Sequence, residues 1–449
     1  MKVILILMVL FCCTATASEH STIEHSTLEH TNTSPSPPKP ISIIYLIGDG
    51  MGTSYTSAYR YYQDDPNTSP IERTIFDELL VGMASTYPKD TTWVTDSAAA
   101  ATALATGQKT YNGAIGVDNN KKPLPTLLEK AKELGYNTGL VVTSQINHAT
   151  PASFVAHIDS RKRYDEIADQ YLDSRIANRP KVDLMLGGGL SYFQRADRDL
   201  LTEFNQLGYQ TLIDYSQLKT LQSFPAIGLF ATKGLEHAID SDDKTRLATM
   251  THKALSLLSA TPFFLLVEAS QIDWCGHSND IACAMAEVHD FAETLIVARQ
   301  YVQQHPDTLL IATADHNTGG LSLGAEGKYV WRPSVLKNIT ASANPLALSL
   351  LKSDETWQRT WHQKTKIPLT KKWRSELQAA MDNREQNRGI RLEQQILKII
   401  NQHSYTGWTS HGHTAEDVPV YSTGRGSDLF RGYMDNTTIA KTIFTLLAP

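Results

Sequence analysis

Four short, nearly continuous apolar runs constrain what this chain can fold into: ISIIYLI (41–47), YNTGLVVT (136–143), PFFLLVE (262–268) and LLIATA (309–314). They are rich in β-branched residues and read as strands buried on both faces. Helical patterns separate them: Pro125–Leu134 with Gly135 as its cap, residues 244–259, and a long stretch from Ile281 to Gln304. Val182–Leu186 and Ile227–Phe230 add two shorter strands. Strands alternating with helices predict an α/β fold, a mostly parallel central sheet with helices on both faces. Such sheets collect ligands at the carboxyl ends of their strands. There the runs give way to GDGMG (48–52), HATPASFVAHIDSR (148–161), EASQIDWCGH (268–277) and DHNTGG (315–320).

A chain of 449 residues, 41% hydrophobic and 20% charged, has ample material for a large core, and its formal net charge of −6 speaks against nucleic acid as a partner. Residues 1–17 read as a signal peptide, with Lys2, the apolar run Val3–Cys13 and Ala15-Thr16-Ala17 before Ser18. The run is too short to span a bilayer, so no transmembrane helix is expected; Cys12 and Cys13 leave a lipid anchor as the rival to cleavage. The expected location is outside the cytoplasm, periplasmic or extracellular. Residues 18–40 hold EHSTIEHSTLEHT and SPSPPKP and read as a disordered linker. The domain proper is expected over 41–449, with the strand rhythm lost at about 321–410. That span carries Trp331, Trp357, Trp361, Trp373 and an amphipathic helix near 391–402. It reads as a surface insertion that folds over the site or against a partner subunit. The sheet resumes at 418–424, and 437–447 is a closing helix. Once the leader is removed, Cys275 and Cys283 remain; pairing, thiol ligation and two free buried thiols are all open.

The chemistry centres on TDSAAAATALATG (95–107), where Ser97 stands at the head of a run of strong helix formers. Unpaired N–H groups and the positive dipole end suit an anion there, though a serine at a helix start is more often only an N-cap. Other segments change that balance. Asp49, Glu268, Asp273, His277, Asp315 and His316 follow strands, and His413 just precedes one. Asp273 and His277 stand four apart, a spacing that can converge on one ion. Nitrogen and oxygen donors without thiolate suit catalytic zinc, and Asp, Glu and Thr oxygens suit magnesium.

GDGMG, TDSAAAATALATG, HATPASFVAHIDSR, EASQIDWCGH, TADHNTGG and HGHTAEDVPVYSTG, in this order, resemble the motif set of the alkaline phosphatases, from about Ile41 to the end of the chain. The resemblance implies hydrolysis of small phosphate monoesters through a phosphoserine on Ser97, with Arg161 clamping the phosphoryl oxygens. It implies two Zn2+ and one Mg2+ as cofactors. Asp273, His277 and His413 would hold one zinc; Asp49, Asp315, His316 and the Ser97 hydroxyl the other; Asp49, Thr150 and Glu268 the magnesium. It also implies a homodimer. Three positions depart from many members. His148, expected in the second shell of magnesium, replaces an aspartate found in some; Trp274, expected near substrate, replaces lysine or histidine; and the span from Asp315 to His413 is longer than in compact members.

Overall fold

The structure, a computed structural model, describes residues 40–353, 356–382 and 387–447, all within one compact unit. The expected leader and all of the expected linker except Pro40 lie outside the described residues. Ten strands form the central sheet: β1 Ser42–Gly48, β2 Leu80–Ser85, β3 Asn137–Gln145, β4 Leu184–Gly188, β5 Gln210–Leu212, β6 Ala226–Leu229, β7 Phe263–Ala269, β8 Thr308–Ala314, β9 Val418–Gly424 and β10 Gly432–Asp435. Their spatial order is β10-β2-β9-β8-β1-β7-β3-β4-β6-β5. Only β9 runs against its neighbours β8 and β2; every other pairing is parallel.

The four apolar runs became the middle of this sheet, β8-β1-β7-β3, with β1, β7 and β8 almost wholly buried. Three strands escaped the sequence reading: β2, β5 and β10. β2 and β10 lie at the sheet margin and keep Leu80 and Tyr433 exposed, so neither shows a buried run. β2 also needs Gly82, where a Cβ would stand 2.2 Å from the Gly432 carbonyl oxygen.

Helices cover both faces. The Tyr45 ring of β1 meets Phe154 of helix Ala149–Val155, whereas a Cβ at Gly48 would meet Phe291 of helix Ile281–Gln304. Three residues apart on one strand, these positions point to opposite sides. Helices Ser97–Thr106, Leu127–Glu133, Ala149–Val155 and Asn436–Leu447 form one layer, and Thr53–Gln63, Arg246–Leu258 and Ile281–Gln304 the other.

After β8 the chain makes two short antiparallel ladders with its own return: Asn317–Thr318 against His413–Thr414, and Ser322–Leu323 against Thr406–Gly407. Between them lie helices Ala343–Lys352, Trp357–Thr365, Lys371–Asp382 and Arg388–Ser404, packed on one another around Trp357, Trp361, Leu377 and Ile396. This group joins the body through hydrogen bonds from Ala343 N to Asp280, from Ser342 to Asp240 and from Asn401 to the Asn279 carbonyl.

Candidate metal centre and nucleophile

Register alone assembles much of the site. Gly48 of β1 pairs with Ala314 of β8 and Ala269 of β7, so Asp49 and Asp315 leave adjacent strands side by side. Glu268 pairs with Ile47 on one side and Val142 on the other. Asp49, Glu268, Asp273 and Asp315 are each 0–3% exposed.

Helix Ser97–Thr106 brings its first residue to this edge. Its N-cap is Asp96, whose carboxylate accepts from Ala99 N at 2.9 Å and Gly113 N at 3.0 Å. Ser97 is therefore not the cap. Its Oγ stands 3.1 Å from His316 Nε2, at the end where backbone N–H groups lack helical partners. Asp96 also accepts from Arg161 Nη1 at 3.0 Å, which ties the guanidinium to the turn that leads into Ser97.

Three groups of ligand atoms converge around Ser97: Asp273, His277 and His413; Asp49, Asp315 and His316; and Asp49, His148 and Glu268. In the first, each imidazole is oriented by a carbonyl acceptor, His277 Nδ1 on His411 O at 2.5 Å and His413 Nδ1 on Thr95 O at 2.8 Å. With Nδ1–H thus committed, the two Nε2 atoms face each other at 3.2 Å beside Asp273. A proton or a cation between them is needed to offset lone-pair repulsion. In the second group, Asp315 Oδ1 is taken by Gly50 N and His316 N, while Asp315 Oδ2 and both Asp49 oxygens are buried with no hydrogen-bond partner. In the third, Glu268 Oε2 is held by Ser270 and Ser144 hydroxyls, leaving Oε1 without a partner, as is Thr150 Oγ1. Orphaned buried oxygens at this density are an unmet demand for positive charge.

The proton affinities say the same. Burial, followed by repulsion among the acids, pushes Asp49 well up and Asp315 to about 8; burial takes Glu268 to about 7. Burial would also raise Asp273, but the His277 hydrogen bond and the three nearby imidazoles hold it below the carboxylate range. His277 is pushed up to about 9, first by its hydrogen bond to Asp273, whereas burial lowers His316 and His413. The donor set fits divalent cations: imidazole and carboxylate for zinc, carboxylate and hydroxyl for magnesium.

His148, 7% exposed, is held to about 3, first by burial and then by Arg161. Arg161 Nη2 lies 3.2 Å from its Nε2, and since a guanidinium only donates, Nε2 accepts and the proton sits on Nδ1. Trp274 stacks edge-on against the same ring at 5.9 Å and lies on Gly234, where a Cβ would be 2.4 Å from its ring. It packs beside the Arg161–His148 pair. Cys275 and Cys283 form a disulfide that joins helix Gln271–Ser278, which carries Asp273 and His277, to helix Ile281–Gln304.

The sequence reading missed Asp96 as cap and guanidinium anchor, the Ser144 and Ser270 hydroxyls on Glu268, and Thr318, whose hydroxyl touches two of the three groups. Their common signal was proximity to a named motif, Asp96, Ser270 and Thr318 lying inside one.

A sequence model of the alkaline phosphatase family matches residues 41–448. Alkaline phosphatase 3 of Bacillus subtilis is 45% identical over 412 residues, covering 90% of this chain and 88% of that protein. Among solved structures, a cold-active alkaline phosphatase from a psychrophilic Shewanella species is 48% identical with a TM-score of 0.86, covering 91% of this chain and all of that one. Two histidine mutants of TAB5 alkaline phosphatase, to glutamate and to aspartate, each with Mg bound in the M3 site, are 26% identical with TM-scores of 0.67, covering 91% of this chain and 98% of theirs. The chain therefore belongs to the alkaline phosphatase family, metal-dependent hydrolases of phosphate monoesters.

Proposed function

We propose that the chain is a secreted phosphomonoesterase that works through a phosphoserine on Ser97 at a site for two zinc ions and one magnesium ion. The observation that carries this reading is the Ser97 hydroxyl, freed from capping by Asp96 and set 3.1 Å from His316 Nε2 amid orphaned buried carboxylate oxygens. Asp273, His277 and His413 would hold one zinc. Asp49, Asp315, His316 and Ser97 Oγ would hold the second, and Asp49, Thr150 and Glu268 the magnesium. Three dications exceed the four buried carboxylates by two charges, which suits a dianionic phosphate. When bound, they supply the Lewis acidity that stabilises the attacking and departing oxygens of an in-line displacement.

The chain's own groups supply the rest. Ser97 Oγ attacks phosphorus from the N-terminus of its helix, whose free N–H groups face the incoming negative charge. Arg161, fixed by Asp96, offers its guanidinium to the equatorial oxygens as a charge-assisted donor. His148 keeps its Nδ1 proton turned away from Arg161 and has Trp274 packed edge-on against its ring; it would support the magnesium ligands without binding the ion, and Trp274 would stand near the substrate. A second displacement, by water on phosphoserine, restores Ser97, so configuration at phosphorus is retained overall.

Two TAB5 alkaline phosphatase mutants, with one histidine changed to glutamate or to aspartate, have Mg bound in the M3 site; His148 here sits with Asp49 and Glu268. A homodimer, export by a cleaved leader or a lipid anchor, and an insertion at 321–410 complete the reading. No described helix is long and apolar enough to cross a membrane. Elemental analysis of the purified protein beside its activity on a generic aryl phosphate tests the whole: zinc, magnesium and turnover are expected together, and turnover without zinc overturns the metal assignment.

A further inference from the structure

Thr318 is fully buried and occupies the seam between the first two ligand groups. Its Oγ1 donates to Asp273 Oδ1 at 2.5 Å and stands 3.3 Å from His316 Nδ1. A hydroxyl has one proton. Because that proton goes to Asp273, the contact with His316 must run the other way, from imidazole Nδ1–H to Oγ1. The tautomer of His316 follows: Nε2 is bare, and it is Nε2 that faces Ser97 Oγ, Asp49 and Asp315.

The backbone of Thr318 is equally committed. Its N–H donates to Gly50 O at 3.1 Å, one residue beyond Asp49. Its carbonyl accepts the Tyr55 hydroxyl at 2.7 Å, and its ladder partner is His413. A Cβ at Gly50 would lie 2.7 Å from Thr318 Oγ1, so the glycine there allows the close approach. One side chain thus orients a ligand from each group, and its backbone spans the loops that carry two more.

We propose that Thr318 is a positioning residue that couples the two zinc groups: its single O–H fixes the carboxylate of one and the imidazole tautomer of the other in one proton order. The proposal rests on the zinc assignment above. If correct, loss of the hydroxyl weakens both groups together, because both partners lose their orientation at once. A role confined to packing would be indifferent to the oxygen.

The test is zinc affinity in wild type, Thr318→Val and Thr318→Ser, measured by competition with a chromophoric chelator and with thermal unfolding of each apo protein as the fold control. Valine keeps the shape and removes the oxygen. About 10- to 100-fold weaker binding of both zinc ions in Thr318→Val, with recovery in Thr318→Ser, is the expected result. In wild type the His316 ring should show an Nδ1–H proton coupled to 15N, and in the valine variant that signal should lose its hydrogen-bonded shift. Unchanged affinity, weakening of one ion only, or a folded serine variant as poor as valine overturns the coupling. A wild type that takes up no zinc overturns the metal assignment itself, a distinguishable failure. If the valine variant does not fold, Thr318→Ala carries the same comparison.

Discussion

Ser97→Ala separates the roles that converge on one oxygen. The substitution leaves the helix intact, since the cap is Asp96 and alanine is the better helix former. The void is about one oxygen at a position 1% exposed. His316 Nε2 loses its 3.1 Å neighbour, while Asp49 and Asp315 stay at 3.4 and 3.2 Å. Two charged donors and one imidazole therefore remain for the second zinc, and zinc content should be close to wild type. Turnover should not. Without the nucleophile only direct attack by water is left, helped by the surviving electrostatics, and removal of a nucleophile from such a unit typically costs about 10⁴- to 10⁶-fold. At 1.36 kcal/mol per decade, that is roughly 5 to 8 kcal/mol of transition-state stabilisation. The assay is kcat/KM on an aryl phosphate, zinc by elemental analysis, and acid quenching to trap labelled phosphoserine. Activity within tenfold of wild type refutes the nucleophile; loss of zinc along with activity refutes the partition of roles.

Arg161→Ala should lower kcat/KM by about 2 to 4 kcal/mol and weaken inhibition by phosphate, as expected for a lost charge-assisted donor in a catalytic site; unchanged inhibition constants would assign the clamp elsewhere. Trp274→Lys places an ammonium beside His148 and Arg161 and should tighten inhibition by inorganic phosphate about tenfold while slowing saturated turnover where product release is limiting. Unchanged inhibition in a folded, zinc-loaded variant would leave Trp274 a packing residue. Glu129 is held at about 2: burial would raise it, but His157 and Lys181 outweigh that, so its stabilisation is present above pH 4.5 and fades as pH falls towards 2. Glu129→Gln should therefore cost roughly 2 to 3 kcal/mol in urea unfolding at pH 7 and much less at pH 3; an equal cost at both would discount the ion pairs.

Asp49 and Asp315 were legible because each follows a run too apolar and too short to be anything but a buried strand, and parallel register sets such positions side by side. The Asp273 and His277 pair was legible from helical spacing. Ser97 was ambiguous: a hydroxyl at a helix start reads alike as cap and nucleophile. The cap role is taken one residue earlier, by the Asp96 carboxylate, which leaves the Ser97 hydroxyl out of the capping. Thr318 stayed hidden because its role depends on which way one proton faces, which no pattern of residue types records. β2 and β10 were lost for a different reason. Their pairing depends on glycine against a carbonyl oxygen at the sheet margin, and Leu80 and Tyr433 face outward.

His413 reaches the site from the far side of roughly ninety residues, and that distance has an energetic consequence. Holding Thr318 opposite His413 closes a loop whose entropic cost, about 4 kcal/mol beyond the constant for that length, a two-residue ladder cannot offset alone. The second ladder at Ser322–Leu323 and the insertion's own core do so instead. Trp357, Trp361, Leu377, Leu392, Ile396, Ile399 and Ile400 are buried there, each contributing on the order of 1.5 to 3 kcal/mol. The helical group closed by that second ladder therefore helps to set where His413, the proposed zinc ligand, stands. There is a brace too: His413 Nδ1 donates to the carbonyl of Thr95, two residues before Ser97. The chain's return after the helical group, the His413 imidazole and the turn before Ser97 are joined through one ring, so an error in the packing of that group would reach Ser97 through His413.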